Sequence, residues 1–293
     1  MEAMELKQAP EGLRRLSASK AAEIERLLAL GPPPALKGRR PSLAEALRRG
    51  REKRGIGLLA EYKRASPSLG DIDLTTSPEE AAEAFRGADC LSVLTESDYF
   101  KGELSFIERA KAFGGPILRK DFIYHPSQIA ETAATSASAL LLIVSLTPDL
   151  SLLSDLVSLA AASGIEAVTE IFSLSELETA RKAKASIIQV NARNLGDLSV
   201  DPERALSLIK SADPAKEETF IAASGLKTYD DLRRAASLGY HGALVGTALM
   251  RAKDKRAALA SLLSPPSGAS SGAPFGSPPA EGPSEREAEE GEK

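Results

Sequence analysis

The groups most capable of chemistry in this sequence are charged side chains at the ends of short aliphatic runs. Leu58-Leu59-Ala60-Glu61-Tyr62-Lys63 begins apolar, acquires an acid and a base, and breaks at Ser66-Pro67-Ser68. Side chains two apart on a strand share a face, so Leu59, Glu61 and Lys63 point the same way. Charges at the end of a buried strand are costly unless they pair or react. The pattern therefore reads either as a strand-end ion pair or as acid–base machinery. Matching groups recur further on. Lys120 shares a face with Leu118, Glu170 with Val168, and Asn191 closes Ile188-Gln189-Val190-Asn191 with Arg193 two residues later. Crowding two lysines, two glutamates and an Asn-x-Arg at corresponding ends would shift their pKa values and prepare them for proton transfer.

Such crowding requires an element order that brings strand ends together. Eight aliphatic runs recur, at 57–63, 89–95, 116–120, 138–145, 165–171, 186–191, 219–224 and 242–246. Amphipathic stretches separate them, as in Pro78 to Arg86, Pro126 to Thr135, Asp149 to Ser163, Ser175 to Ala183 and 228–238. The longest run, Ala139-Leu140-Leu141-Leu142-Ile143-Val144, is apolar throughout, as in a parallel strand covered on both faces. Eight such units predict an α/β fold, a (β/α)8 TIM barrel, whose active residues gather at the C-terminal ends of the strands. An open doubly wound sheet is the alternative, but no GxGxxG follows the first run. After the last two runs come Ser224-Gly225 and Gly246-Thr247, where barrels of this kind hold phosphate on backbone N–H groups.

The first residues to about 31 carry Leu13, Leu16, Ala21, Ile24, Leu27 and Leu28 near helical spacing, ended by Gly31-Pro32-Pro33-Pro34. A second helix begins near Leu43, with Ser42 as N-cap and Glu45 at the capping-box position, and Gly55 closes it. The expected organisation is an N-terminal helical extension over 1–54, a catalytic barrel over 55–263 and a Pro/Ser/Gly/Glu-rich tail over 264–293. The tail has too little apolar surface to offset its ordering entropy, so disorder is expected.

Composition narrows the function classes. The tail carries six acids and two bases, which accounts for the whole net charge of −4. The remainder is balanced, and nothing points to nucleic acid. Without Trp the core must be largely aliphatic. The single cysteine, Cys90, sits in an apolar run and reads as a buried core thiol in a reducing compartment. His125 and His241 have no partner at metal-ligand spacing, so no metal site is expected. No secretory signal and no apolar run of membrane-spanning length is legible, so a cytoplasmic protein without a membrane partner is expected.

Taken together, these residues resemble the indole-3-glycerol phosphate synthases of tryptophan biosynthesis over roughly residues 10–262. The most specific piece is Ala60-Glu61-Tyr62-Lys63-Arg64-Ala65-Ser66-Pro67-Ser68. Ser92-Val93-Leu94-Thr95-Glu96 with Phe100 and Gly102, Leu118-Arg119-Lys120-Asp121-Phe122-Ile123, Asn191-Ala192-Arg193-Asn194-Leu195 and Leu244-Val245-Gly246-Thr247-Ala248-Leu249-Met250 follow in order. The resemblance implies closure of 1-(2-carboxyphenylamino)-1-deoxyribulose 5-phosphate to indole-3-glycerol phosphate, with loss of CO2 and water and with no cofactor. It implies Lys120 as general acid, Lys63 paired with the substrate carboxylate, and Asn191 as a positioning group. Glu61 and Glu170 become candidate bases and hydroxyl-orienting groups, their roles undivided. Ser66, Arg193, Ser224, Gly225, Gly246 and Thr247 would hold substrate and phosphate.

The chain departs from the family pattern in places. Ala223 stands where the seventh strand usually ends in Glu, Phe172 where many members have His, and Thr247 where Ser is commoner. Ala223 motivates two other readings, a weakened enzyme and a non-catalytic paralogue that binds the phosphorylated ligand. Another phosphate-sugar barrel enzyme, such as phosphoribosylanthranilate isomerase, is a further alternative. The only partner implied is the small phosphorylated substrate, with a monomer or weak homo-oligomer expected.

Overall fold

The computed structural model describes residues 11–18, 20–147, 149–193 and 201–265. Each of the eight aliphatic runs holds a parallel strand. They are β1 (Gly57–Tyr62), β2 (Cys90–Leu94), β3 (Ile117–Ile123), β4 (Ala139–Ile143), β5 (Glu166–Ile171), β6 (Ile187–Asn191), β7 (Thr219–Ala223) and β8 (Gly242–Val245). The strands close into a barrel in sequence order, β1 pairing with both β2 and β8. The expected (β/α)8 barrel is therefore the observed fold. An extra two-stranded hairpin, Ala65–Ser66 against Gly70–Asp71, follows β1 at the mouth and was not legible in the pattern.

Alternation along the strands divides the core into two layers. Leu59, Cys90, Leu118, Ala139, Leu141, Val168, Ile187, Ile221 and Leu244 fill the barrel interior. The opposite faces bury Leu58, Leu91, Leu140, Ile188, Phe220 and Val245 beneath the surrounding helices. The barrel is thus a packed core, and chemistry is confined to its rim. Pairing of β3 with β4 is regular at Leu118 and Arg119, then shifts before Ile123. The irregularity loosens the segment that carries Lys120 on the β4 side only, since Lys120 stays paired with Leu94 of β2.

Twelve helices are described. The extension comprises α1 (Glu11–Ser17), α2 (Lys20–Leu30) and α3 (Leu43–Arg54). Around the barrel follow α4 (Pro78–Ala84), α5 (Ser105–Arg109), α6 (Pro126–Ala133), α7 (Leu150–Ala162), α8 (Leu174–Lys182), α9 (Pro202–Ala212), α10 (Tyr229–Ser237), α11 (Thr247–Arg251) and α12 (Lys255–Leu263). The single helix expected up to residue 31 is divided, because the chain turns at Ala18 between α1 and α2. Residues 1–10, the side chains of Leu13 and Leu16, and the tail beyond 265 lie outside the described residues.

Helix α3 closes the N-terminal end of the barrel, with Leu43 and Leu47 fully buried in the interior layer. Ser42 caps it as expected, accepting from Glu45 N at 3.1 Å. The expected return bond from Glu45 gives way to a carboxylate from the barrel floor. Glu166 accepts from Ser42 Oγ at 2.6 Å and from Leu43 N at 2.5 Å. A negative group at orphaned helix N–H donors is stabilising, and here it joins helix to strand. Gly55, at φ 86°, takes the left-handed turn that ends α3, where a side chain would be strained.

Helix α2 is held by a buried charge network on the outer face of β3. The guanidinium of Arg119, 1 % exposed, lies 3.0 Å from Glu131, 3.2 Å from Asp121 and 3.3 Å from Glu23. Lys20 pairs with Asp121 at 2.8 Å, and Thr95 donates to the same carboxylate. Burial alone would raise the Asp121 pKa, but Arg119 and Lys20 outweigh it and hold it below the ordinary value. Removing one member of a buried charged set leaves the others uncompensated. Arg119→Met is expected to destabilise the fold by about 3–5 kcal/mol in urea titration. An unchanged midpoint would refute the network's structural role.

Candidate active site

Alternation places Glu61, Lys63, Lys120, Glu170 and Asn191 on the inward faces at the C-terminal rim, and all five line one cavity. Glu61 is the centre of its first half. Its two carboxylate oxygens are divided between two ammonium groups, Oε1 at 2.9 Å from Lys120 Nζ and Oε2 at 2.8 Å from Lys63 Nζ. Burial pushes the Glu61 pKa upward, but the two lysines overcome it and hold the carboxyl at about 2. For Lys120, burial pushes downward and is outweighed by Glu61 and Glu170, so its pKa is raised. Lys120 is therefore an ammonium at neutral pH, a proton donor in place beside an ionised acceptor. The ion-pair reading of Glu61 and Lys63 is thus observed, and Lys120 joins the same carboxylate.

Close approach at this point depends on Gly246. A Cβ there would overlap the Glu61 carboxylate and lie 3.0 Å from its Cδ. The glycine expected to help bind phosphate thus also packs directly on the central acid.

Glu170 anchors the second half. Its Oε1 accepts from Asn191 Nδ2 at 2.9 Å, and its Oε2 accepts from Gln189 Nε2. Asn191 Oδ1 in turn accepts from Ser224 Oγ at 2.7 Å and from Arg193 N at 2.9 Å. With Oδ1 so occupied, the Asn191 amide can face Glu170 only with its NH2. Ser224, at φ 69°, and Gly225, at φ 82°, form a left-handed pair immediately after β7. For a serine this backbone is strained, as is common where a turn must aim groups into a site.

The cavity has an apolar and a polar compartment. Leu94, Phe100, Phe122, Leu141 and Ile143 line the first, of about 100 Å3, beside the charged groups. Arg193, Ser224, Gly225, Gly246, Thr247 and Arg251 line the second, of about 600 Å3. Glu61, Lys63, Leu69, Lys120, Arg193, Ser224 and Thr247 belong to both, so the compartments are continuous. Ser66 Oγ is buried at the wall and has no hydrogen-bond partner among the described residues, the condition of a donor waiting for a ligand. All eleven site residues expected from sequence therefore converge on this cleft.

The structural roles of several supporting groups were not legible. Gln189 stands two residues before Asn191, so alternation alone puts it inside the barrel. Glu96 accepts from the N–H groups of Asp98, Tyr99 and Phe100 at 2.8–3.0 Å and so presents Phe100 to the apolar compartment. Gly102 packs against the backbone of Leu94 and Thr95, where a Cβ would stand 2.8 Å from both carbonyl carbons. Phe172 carries the Arg204 guanidinium, whose central carbon lies 3.5 Å from the ring centroid. Arg204 also donates to the carbonyls of Phe172 and Asn191 and so ties α9 to the ends of β5 and β6. Asn194 and Leu195 lie outside the described residues. Among the described residues, no cluster of His, Cys, Asp and Glu could hold a metal ion, and no helix is long and apolar enough to cross a membrane.

Comparison with known proteins decides the assignment. A model of the family "Indole-3-glycerol phosphate synthase" matches residues 15–262. The chain belongs to the indole-3-glycerol phosphate synthase family. It is 39 % identical to an indole-3-glycerol phosphate synthase of Desulfosudis oleivorans over 224 residues, covering 75 % of this chain and 84 % of that one. It is 40 % identical to that of Halalkalibacterium halodurans over 239 residues, covering 80 % and 90 %. An N-acetylmannosamine-6-phosphate 2-epimerase of Clostridium perfringens shares only the fold, with a TM-score of 0.55, 17 % identity and coverage of 73 % and 93 %. Family membership makes the chain a decarboxylating lyase of tryptophan biosynthesis. It also sets aside the isomerase alternative. Where the family pattern has a carboxylate, Ala223 is buried between Asn191 and Leu244 on the neighbouring strands.

Proposed function

We propose that the cleft closes the indole ring of 1-(2-carboxyphenylamino)-1-deoxyribulose 5-phosphate, with Lys120 as the general acid. In this reaction the aryl carbon bearing the carboxylate attacks the ketone, and the forming alkoxide needs a proton. The observation that supports Lys120 is its ammonium, held at 2.9 Å by Glu61 beside the apolar compartment where an aryl ring fits. Lys63 pairs with the substrate carboxylate until CO2 departs and the ring regains aromaticity. Dehydration then removes the new hydroxyl together with a proton from the adjacent methylene. Glu61 and Glu170 are the carboxylates positioned to accept that proton and orient the hydroxyl, with Asn191 aligning Glu170. Arg193, Ser224, Gly225, Gly246 and Thr247 hold the phosphate in the polar compartment, and Ser66 contacts the substrate from the wall of the adjoining one. Anchoring the remote phosphate keeps the reacting carbon in geometry. Residues 55–263 are the catalytic barrel and residues up to 54 the extension that seals and braces it. A phosphorylated substrate and a buried thiol at Cys90 fit a cytoplasmic setting.

Steady-state kinetics by indole fluorescence test this reading. Absence of turnover together with tight product binding would favour the non-catalytic paralogue, for which Ala223 is the one structural argument. Ala223→Glu, which returns a carboxylate to β7, is expected to raise kcat about tenfold. An unchanged or lower kcat would show that two acids suffice in this chain.

A further inference from the structure

The floor of the site holds a polar side chain whose hydrogen-bonding capacity is only partly used. Gln189 is fully buried and points into the barrel between Ile187 and Asn191. In the ladder it stands opposite Glu170 of β5 on one side and Ile221 of β7 on the other. Neither Ile221 nor Ala223 offers β7-side hydrogen bonding. The amide therefore makes one bond, from Nε2 to Glu170 Oε2, and its Oε1 has no partner among the described residues. A buried carbonyl left unpaired costs folding energy, which an apolar side chain of the same shape would avoid while stripping a donor from the buried Glu170 oxygen. The orientation is not arbitrary, since the reversed amide would set its oxygen against a carboxylate oxygen.

What Gln189 gains for that cost is control of Glu170. A carboxylate held on one oxygen can swing about its final bond. Held on Oε1 by Asn191 and on Oε2 by Gln189, its plane is fixed. The two amides differ in how they are themselves held. Asn191 is locked by Ser224 and Arg193 and reports on the phosphate side of the cleft, while Gln189 answers to Glu170 alone.

We infer that Gln189 is a positioning residue for the known reaction, retained despite its unpaired Oε1 to hold Glu170 in its reactive orientation. The inference rests on the reading of Glu170 as a reacting carboxylate. It separates from a structural role because turnover should fall far more than stability accounts for. Gln189→Met keeps length and shape and removes the amide. The expected result is a kcat lower by about ten- to a hundredfold, a KM within about twofold of wild type, and only a modest fall in Tm, because Glu170 Oε2 loses a donor while the unpaired Gln189 Oε1 goes with it. Because Gln189 acts only through Glu170, Gln189→Met/Glu170→Gln should be no slower than Glu170→Gln alone. Should the Met variant fail to fold, Gln189→Leu is read by the same criteria.

A kcat within twofold of wild type, a Tm loss large enough to account for the fall in kcat, or full additivity in the double variant would each overturn the inference. Glu170→Gln distinguishes the two levels. If it is impaired while Gln189→Met is not, only the inference fails. If Glu170→Gln turns over like wild type, the reading of Glu170 fails and the inference with it.

Discussion

Lys120→Ala should lower kcat by about a thousandfold or more while leaving the affinity for indole-3-glycerol phosphate within a few fold. The separation follows from the layout of the cleft. Lys120 Nζ sits against Glu61, whereas Gly225 and Gly246 line only the phosphate side, where Arg193, Ser224 and Thr247 add further groups. Losing the ammonium removes the proton for the alkoxide but leaves most of the binding surface intact. Product titration and pre-steady-state turnover together check both halves. A kcat within tenfold of wild type would refute the assignment of the acid.

The same variant has a second readout through Glu61. Its carboxyl is held at about 2, below the ordinary 4.5, so as a depressed acid it stabilises the fold fully above the ordinary value. That contribution is lost as pH falls from about 4.5 through about 2. Without Lys120, one of the two opposing cations is gone and the folded pKa moves upward. Acid unfolding of the variant should therefore begin at higher pH than that of wild type.

Gly246→Ala should reduce kcat about a hundredfold, an effect out of proportion to one methyl group, with a Tm loss too small to account for it. The added Cβ would occupy the position of the Glu61 carboxylate. Glu61 must then move, and both Lys63 and Lys120 lose the partner that places them. The backbone itself tolerates alanine, because φ at Gly246 is −120° and not left-handed. The main damage is thus to the position of these charges, with a smaller share to the stability their pairing supplies. A Tm loss large enough to account for the missing activity would show that the glycine serves packing alone.

Much of this site was legible because two regularities, strand alternation and the rhythm of βα units, are written directly in residue types. Alternation put Glu61, Lys63, Lys120, Glu170 and Asn191 on one face, and closure of the barrel brought those faces together. What escaped notice depends on partners distant in sequence. The contact of Gly246 with Glu61 spans the closing seam of the barrel, and no local pattern announces it. Arg119 and Asp121 read as ordinary polar neighbours of Lys120 until α2 folds over them. Glu166 reads as the start of a strand, and its capping of α3 follows only once the barrel floor exists. Gln189 was within reach of alternation, but a lone amide in an apolar run has no meaning until Glu170 stands opposite. The division of the first helix at Ala18 left no trace in an apolar spacing that runs through it.

The charged pair flanking Lys120 has one further consequence. Arg119 and Asp121 face outward and are matched to groups on α2 and α6, while Lys120 faces inward and is matched to Glu61. Slipping β3 by one residue would reverse every one of these directions. It would turn the lysine toward the helices and bring a guanidinium or a carboxylate into the pocket, breaking each pairing at once. Three adjacent charges thus act as an error check on strand registration, and a chain that assembles β3 wrongly by one position has no comfortable state in which to remain.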